Sequence, residues 1–275
     1  AGPRAGVQLQ DKILKNTITD GSDQDHLDCF HVSCGSRISD RTCFLQHGEG
    51  QNPGEQMGHI VSEACKLSDG RRKVIVGVPC VTFHAEPICS VFRSFLQGYD
   101  NVVFVSIIDA ICAGLRQTSA RRIGLLGTNG TLQAGTLAAG LTAAGLTVVF
   151  PAEHDQERLH EAIYHPRWGL KAISRVTEQA HEALDAVLTS VASQRRVDAF
   201  LLGCTELSFG IEKPTHRGVP IFDALNLLAR EMIHAVDPQK LEPLAEGVED
   251  RCEPPSAPPE SPVGGPINMS RSPSG

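Results

Sequence analysis

The sequence predicts an α/β fold of two similar doubly wound parallel-sheet domains related by a pseudo-twofold axis, with the active site in the cleft between them. Three observations predict it. Short apolar runs alternate with segments of helical spacing along all but the end of the chain, the pattern of strands covered by helices on both faces. The rhythm of the first half returns in the second. Two of the runs, Val74 to Cys80 and Ala199 to Cys204, also finish alike, on a cysteine with a threonine close behind at Thr82 and Thr205. That is where open α/β sheets bind ligands, because the carboxyl ends of parallel strands all open onto one edge.

In order, the strands expected in the first half are Leu27 to Cys34, Lys73 to Pro79 and Val102 to Ile107, with helices at Gln8 to Asn16 and Gln56 to Leu67. The second half offers Arg122 to Gly127, Thr147 to Pro151, Ala199 to Cys204 and Pro220 to Phe222, with helical spacing at Gly135 to Ala144 and Thr177 to Ser193. Residues 1–114 and 115–218 are then the two domains. Residues 219–250 carry a last strand and the helix Ala224 to Ala235; that helix either stays with the second domain or crosses back onto the first. Residues 251–275, dense in Pro, Ser and Gly, are expected to be a disordered tail, having too little apolar surface to offset the entropy of ordering.

A chain of 275 residues is long enough for two cores and a cleft. Its net charge of −7 repels nucleic acid and anionic membrane surfaces, and its apolar runs are far shorter than a bilayer requires. A small molecule is the expected partner. Nine cysteines at irregular spacing, without paired Cys-x-x-Cys units or a secretory segment, read as reduced thiols in the cytoplasm. The histidines and carboxylates at Glu153, His154, Asp155, Glu157, His160 and Glu161 match no zinc spacing and read as a charged helix face. No metal is expected. The turn from Gly127 to Thr131 lacks the glycine pattern and lysine of a phosphate loop.

Two thiols at corresponding strand ends suit one chemistry in particular. Inverting an amino acid means removing the α proton from one face and returning a proton to the other, so two bases on opposite sides suffice. A thiol with an ordinary pKa of roughly 8.5 lies near enough to neutrality to serve in either state. Cys80 and Cys204 are that pair; taken singly, each would read as a small core residue. Cys29, Cys34, Cys43, Cys65, Cys89, Cys112 and Cys252 have no symmetric mate and keep the structural reading.

At these residues the chain resembles the cofactor-independent aspartate/glutamate racemases of the Asp/Glu/hydantoin racemase superfamily. The likeness runs from Gly2 to about Ala235. It is carried by Gly2-Pro3, Ser39-Asp40-Arg41-Thr42, Pro79-Cys80-Val81-Thr82-Phe83-His84, the stretch from Ile123 to Thr131, Ala162 to Lys171, and Gly203-Cys204-Thr205-Glu206. The resemblance implies that Cys80 and Cys204 are the acid/base thiols and that Arg41 and Lys171 hold a dicarboxylic amino acid, most naturally aspartate or glutamate. An arginine fork can take a carboxylate through two parallel hydrogen bonds. Thr82, Thr128, Thr131 and Thr205 would bind a carboxylate alongside backbone N–H groups, though each alone reads as a helix cap. His84 and Glu206 are capping or supporting residues, or else bias the neighbouring thiols. No cofactor is implied, and the family points to a homodimer. Cysteine-dependent isomerases, hydantoin racemases and decarboxylases of the same fold, and a non-catalytic amino-acid binder, remain alternatives at this stage.

Two departures from the family stand out. Val81 occupies the place of an asparagine whose amide would bond the substrate; losing such a bond to a charged group costs roughly 1.5–3 kcal/mol, or one to two orders of magnitude in rate. The family's leading apolar strand is also missing ahead of Gly2, so the 275-residue chain is expected to be a fragment less stable than one carrying that strand.

Overall fold

The computed structural model describes residues 2–68, 72–173 and 175–243; the expected tail at 251–275 and Cys252 lie outside them. The chain opens with helix α1 (Pro3–Lys15), whose proline sits at the first turn where no N–H is needed. Short helix α2 (Arg41–His47) follows, then α3 (Pro53–Cys65), β1 (Val74–Gly77), α4 (Glu86–Leu96), β2 (Val102–Val105) and α5 (Ile107–Arg116). The second half runs β3 (Arg122–Leu126), α6 (Asn129–Ala134), α7 (Thr136–Ala143), β4 (Thr147–Val149), α8 (Glu153–Tyr164), α9 (Glu178–Arg195) and β5 (Ala199–Leu202). It closes with α10 (Leu207–Gly210), β6 (Thr215–His216), β7 (Val219–Asp223) and α11 (Ala224–Val236).

Two sheets result, and they are unequal. β1 and β2 pair in parallel, whereas the second sheet has the order β4-β3-β5-β7-β6, parallel except for the antiparallel hairpin β6-β7. That hairpin turns on Arg217 and Gly218, both at positive φ, the backbone a two-residue hairpin needs. The α/β class with parallel sheets stands, but the expected likeness of the halves does not extend to the sheets' size. The third strand anticipated in the first half, Leu27 to Cys34, is irregular and largely exposed, with Phe30 and Val32 turned to solvent. Among the described residues β1 and β2 each keep one unpaired side, yet the segment takes neither. The segment crosses α1 instead, His31 lying against Gly6, and β propensity without a pairing partner does not make a strand.

Side chains of the central strands alternate between two cores, as a period of two requires. Ile123, Leu125, Ala199 and Leu201 face a core with Ile107 and Ile111 of α5, Leu137 and Leu141 of α7, and Leu225 and Leu228 of α11. On the opposite face, Leu126, Phe200 and Leu202 pack with Leu159 and Ile163 of α8 and Leu184, Val187 and Leu188 of α9. A third cluster, including Ile60, Phe83, Ile88 and Phe92, fills the space between α3 and α4.

The path of α11, open in the sequence, is settled by its contacts. β7 belongs to the second sheet through its pairing with β5, yet α11 returns to pack on α1, α5 and β1. Asp223 anchors that return. One carboxylate oxygen accepts from the N–H of Leu225, capping α11, and from the Ser208 hydroxyl; the other meets Lys12 of α1. Asp223→Ala is expected to destabilise the protein by about 2 kcal/mol, from the lost cap and the hydroxyl of buried Ser208 left without its acceptor. Asp223→Asn, which keeps the cap, should cost less; urea unfolding of both variants checks this.

Candidate active site

Cys80 follows β1 by three residues and Cys204 follows β5 by two, so each thiol stands at the carboxyl edge of a parallel strand. The two line one pocket. Arg41, Thr82, Thr128, Thr131, Lys171, Thr205 and Glu206 line it too, which brings together every residue singled out from the sequence except His84. Asp40, Thr42 and Tyr164 complete much of its wall.

The first half supplies Cys80, Thr82 and Arg41. Asp40 caps α2 by accepting from the Cys43 N–H, which fixes Arg41 at the first helical position. The Arg41 guanidinium donates to the Ser39 carbonyl at 3.3 Å and lies within electrostatic reach of Cys80, and burial, which opposes its charge, is outweighed by Cys80 and Asp40. Its Nε is buried with no partner among the described residues, a donor aimed at nothing the protein itself provides. Val81 is 5% exposed and belongs to the core shared by α5, α7 and α11, an apolar setting that valine suits.

His84 does not reach the pocket. Its Nε2 accepts from the Ile107 N–H at 3.2 Å, which leaves the proton on Nδ1 to be donated to the Cys80 carbonyl at 2.9 Å. The ring also stacks on Phe104 at 5.5 Å. It ties the backbone of Cys80 to the start of α5 and makes no described bond to the thiol. Burial pushes its pKa down to about 4, against the upward pull of the Cys80 carbonyl.

In the second half, Thr128 caps α6 by accepting from the Thr131 N–H at 3.1 Å, and the two hydroxyls are also 3.1 Å apart. Both are therefore caps and pocket residues at once. Gly130 lets α6 approach α2 across the pocket, since a Cβ there would come within 2.9 Å of the Thr42 hydroxyl. Cys204 is buried and donates to Glu206 Oε2 at 3.1 Å, the oxygen that also accepts from the Thr205 hydroxyl at 3.2 Å. Burial, then the Glu206 charge, push its thiol well above the usual range, and the Lys171 ammonium only partly offsets them. Cys204 thus holds its proton in the resting site.

Lys171 reaches this group from a reversal after α8. The N–H groups of Leu170 and Lys171 bond back to the carbonyls of Ala162 and Ile163 at 2.9 and 3.0 Å. Gly169 makes the reversal possible: a Cβ there would lie 2.5 Å from the His165 nitrogen and 2.7 Å from its oxygen, both backbone atoms. The Lys171 ammonium donates to the Tyr164 hydroxyl at 3.0 Å and lies 3.7 Å from Glu206. Burial lowers its pKa, but Glu206, Tyr164 and Cys204 more than reverse this, so it stays charged. Tyr164 carried no role in the sequence reading, although it sits inside the segment that placed Lys171.

A family profile described as Asp/Glu/Hydantoin racemase matches residues 2–232. The chain belongs to that family. Among solved structures it is similar to an aspartate racemase from Picrophilus torridus, at 25% identity and a TM-score of 0.67, over 86% of this chain and 90% of that one. An aspartate racemase homologue from Pyrococcus horikoshii matches at 23% identity and a TM-score of 0.58, over 85% and 94% of the two chains. A glutamate racemase isoform from Bacillus anthracis shares the fold at 16% identity and a TM-score of 0.53, over 90% and 80%.

The charged helix face expected at 153–161 is a helix, but Asp155 turns inward, 1% exposed, and accepts from Ser190 on α9 at 2.6 Å. It clamps α8 to α9. The eight cysteines among the described residues are unpaired, and no described helix is long and apolar enough to cross a membrane.

Two outcomes follow from this geometry. The unfolded chain binds a proton at His84 near pH 6.5 and the folded one only near pH 4, so stability falls as pH drops through that window, by about 3 kcal/mol from this group. Chemical unfolding of His84→Phe between pH 7 and 4 should show a shallower loss than the unsubstituted protein. Gly169→Ala should cost about 1–3 kcal/mol because backbone must move, whereas Gly98→Ala, with open space around it, should stay within about 0.5 kcal/mol in the same measurement.

Proposed function

We propose that the protein is a PLP-independent amino-acid racemase acting on aspartate by a two-base thiol/thiolate mechanism. The observation that carries this is the convergence of Cys80 and Cys204 on one pocket from the ends of two different sheets, with Arg41 and Lys171 beside them. The likeness to an aspartate racemase over most of both chains supports the substrate. A decarboxylase-type reaction would leave the second thiol without a task.

In this scheme the substrate α carbon lies between the sulfurs. The Cys80 thiolate removes the α proton, the carbanion flattens with its charge spread onto the α-carboxylate, and the Cys204 thiol delivers its proton to the opposite face. Cys80 ends as thiol and Cys204 as thiolate, ready for the reverse direction. The hydroxyls of Thr82, Thr128, Thr131 and Thr205 hold the α-carboxylate, where their donors gain strength as negative charge accumulates. Arg41 and Lys171 hold the side-chain carboxylate. Arg41 Nε, buried without an acceptor, is the donor such an anion satisfies.

The two directions are unequal in this scheme, because removing the α proton from the Cys204 side first requires that thiol to lose the proton that burial and Glu206 hold on it. Cys80→Ser and Cys204→Ser should each lower racemisation by at least about a hundredfold, read as circular dichroism of D-aspartate formed from L-aspartate. Each should still exchange the α hydrogen of one enantiomer with deuterium oxide, and the favoured enantiomer should differ between them. Full racemisation by both single variants would refute the two-base scheme.

A further inference from the structure

Tyr164 is the one large side chain of the pocket whose chemistry the proposed reaction does not use. It ends α8 and is half-exposed, at 40%. Two side chains pack on its ring: His160 stacks on it at 4.7 Å and an interplanar angle of 29°, and the Lys171 ammonium stands 4.3 Å from its centroid. An aromatic ring so fixed presents its hydroxyl in one place.

The hydroxyl has already used an acceptor position on Lys171, which donates to it at 3.0 Å. Its own proton has no acceptor among the described residues, and it lies within electrostatic reach of Arg41 as well as Lys171. Arg41 Nε is likewise unpartnered, and the Lys171–Glu206 pair at 3.7 Å is too long to be a hydrogen bond. Three donors with spare protons, two of them charged, therefore line the same pocket. Such a set of donors is complementary to a carboxylate, whose two oxygens can accept several hydrogen bonds at once, two of them from charged groups.

We propose that the Tyr164 hydroxyl is a specificity-determining residue, donating to the side-chain carboxylate of the substrate and, through Lys171, aiming the ammonium at it. The proposal rests on the racemase reading for the identity of the substrate but not for its test. The phenol selects for a second carboxylate because its proton rewards an anion and its oxygen keeps Lys171 turned into the pocket.

Calorimetric titration of the full chain with succinate and with butyrate, equal in length but differing in one carboxylate, separates the two parts of the idea. The unsubstituted protein should favour succinate by at least about tenfold, and Tyr164→Phe should shrink that preference about tenfold while leaving butyrate affinity and the thermal midpoint unchanged, as expected for one lost hydrogen bond to a charged group. An undiminished preference in Tyr164→Phe, or an equal loss for both ligands, would overturn it, as would failure of the unsubstituted protein to prefer succinate. Racemisation is scored separately: its absence with the binding contrast intact sinks the reaction and spares the role of Tyr164, and the converse result does the opposite.

Discussion

Parallel pairing is the constraint on which the site depends. Because β3 and β5 run in the same direction with Leu126 beside Leu202, the residues that leave them, Thr128 and Cys204, must emerge side by side. The same rule on the smaller sheet brings Cys80 out beside the start of α5, where His84 pins it. Both strands of the central pair are buried on two faces, so their register is fixed by every side chain along them. A slip of one residue would turn Leu125 and Leu201 from one core into the other and carry the thiol with them.

Within that frame, the chemistry of the pocket is set by how its charges are distributed. Two cations, Arg41 and Lys171, share the pocket with two carboxylates, Asp40 and Glu206; Asp40 is engaged in capping α2, and Glu206 accepts from Cys204 and Thr205. A buried thiol facing an anion keeps its proton. The two halves of the pocket thus differ in kind: one thiol lies within electrostatic reach of a guanidinium, the other donates to a carboxylate.

Much of this was legible in the sequence because strand ends carry both signals at once, an apolar run and then the polar residues that follow it. Cys80, Cys204 and the threonines are read directly from such endings. Arg41 and Lys171 came through resemblance, since neither loop announces its direction. What escaped was set by tertiary partners. The segment Leu27 to Cys34 has the composition of a strand, but no pattern in the sequence says whether a sheet edge will receive it. His84 looked like a neighbour of the thiol because it is four residues away; its partners are a carbonyl and the amide of Ile107, twenty-three positions on. Tyr164 acquires its place only through the reversal at Gly169, which folds Lys171 back over a ring seven residues earlier.

The return of α11 across the molecule bears on how the pocket exchanges its contents. That helix is rooted in β7 of the larger sheet and seated on α1, α5 and β1 of the smaller one, and a single apolar core runs continuously beneath both. A wide jaw-like opening about the waist would have to peel this clasp away and wet Leu225 and Leu228, at a cost of several kcal/mol. Traffic through the rim is far cheaper, since the parts that border the mouth there, the start of α2 and the reversal carrying Lys171, belong to short segments outside the clasp. The Lys171 ammonium, proposed above to hold the substrate's carboxylate, is then carried by one of these short segments and not by the clasp.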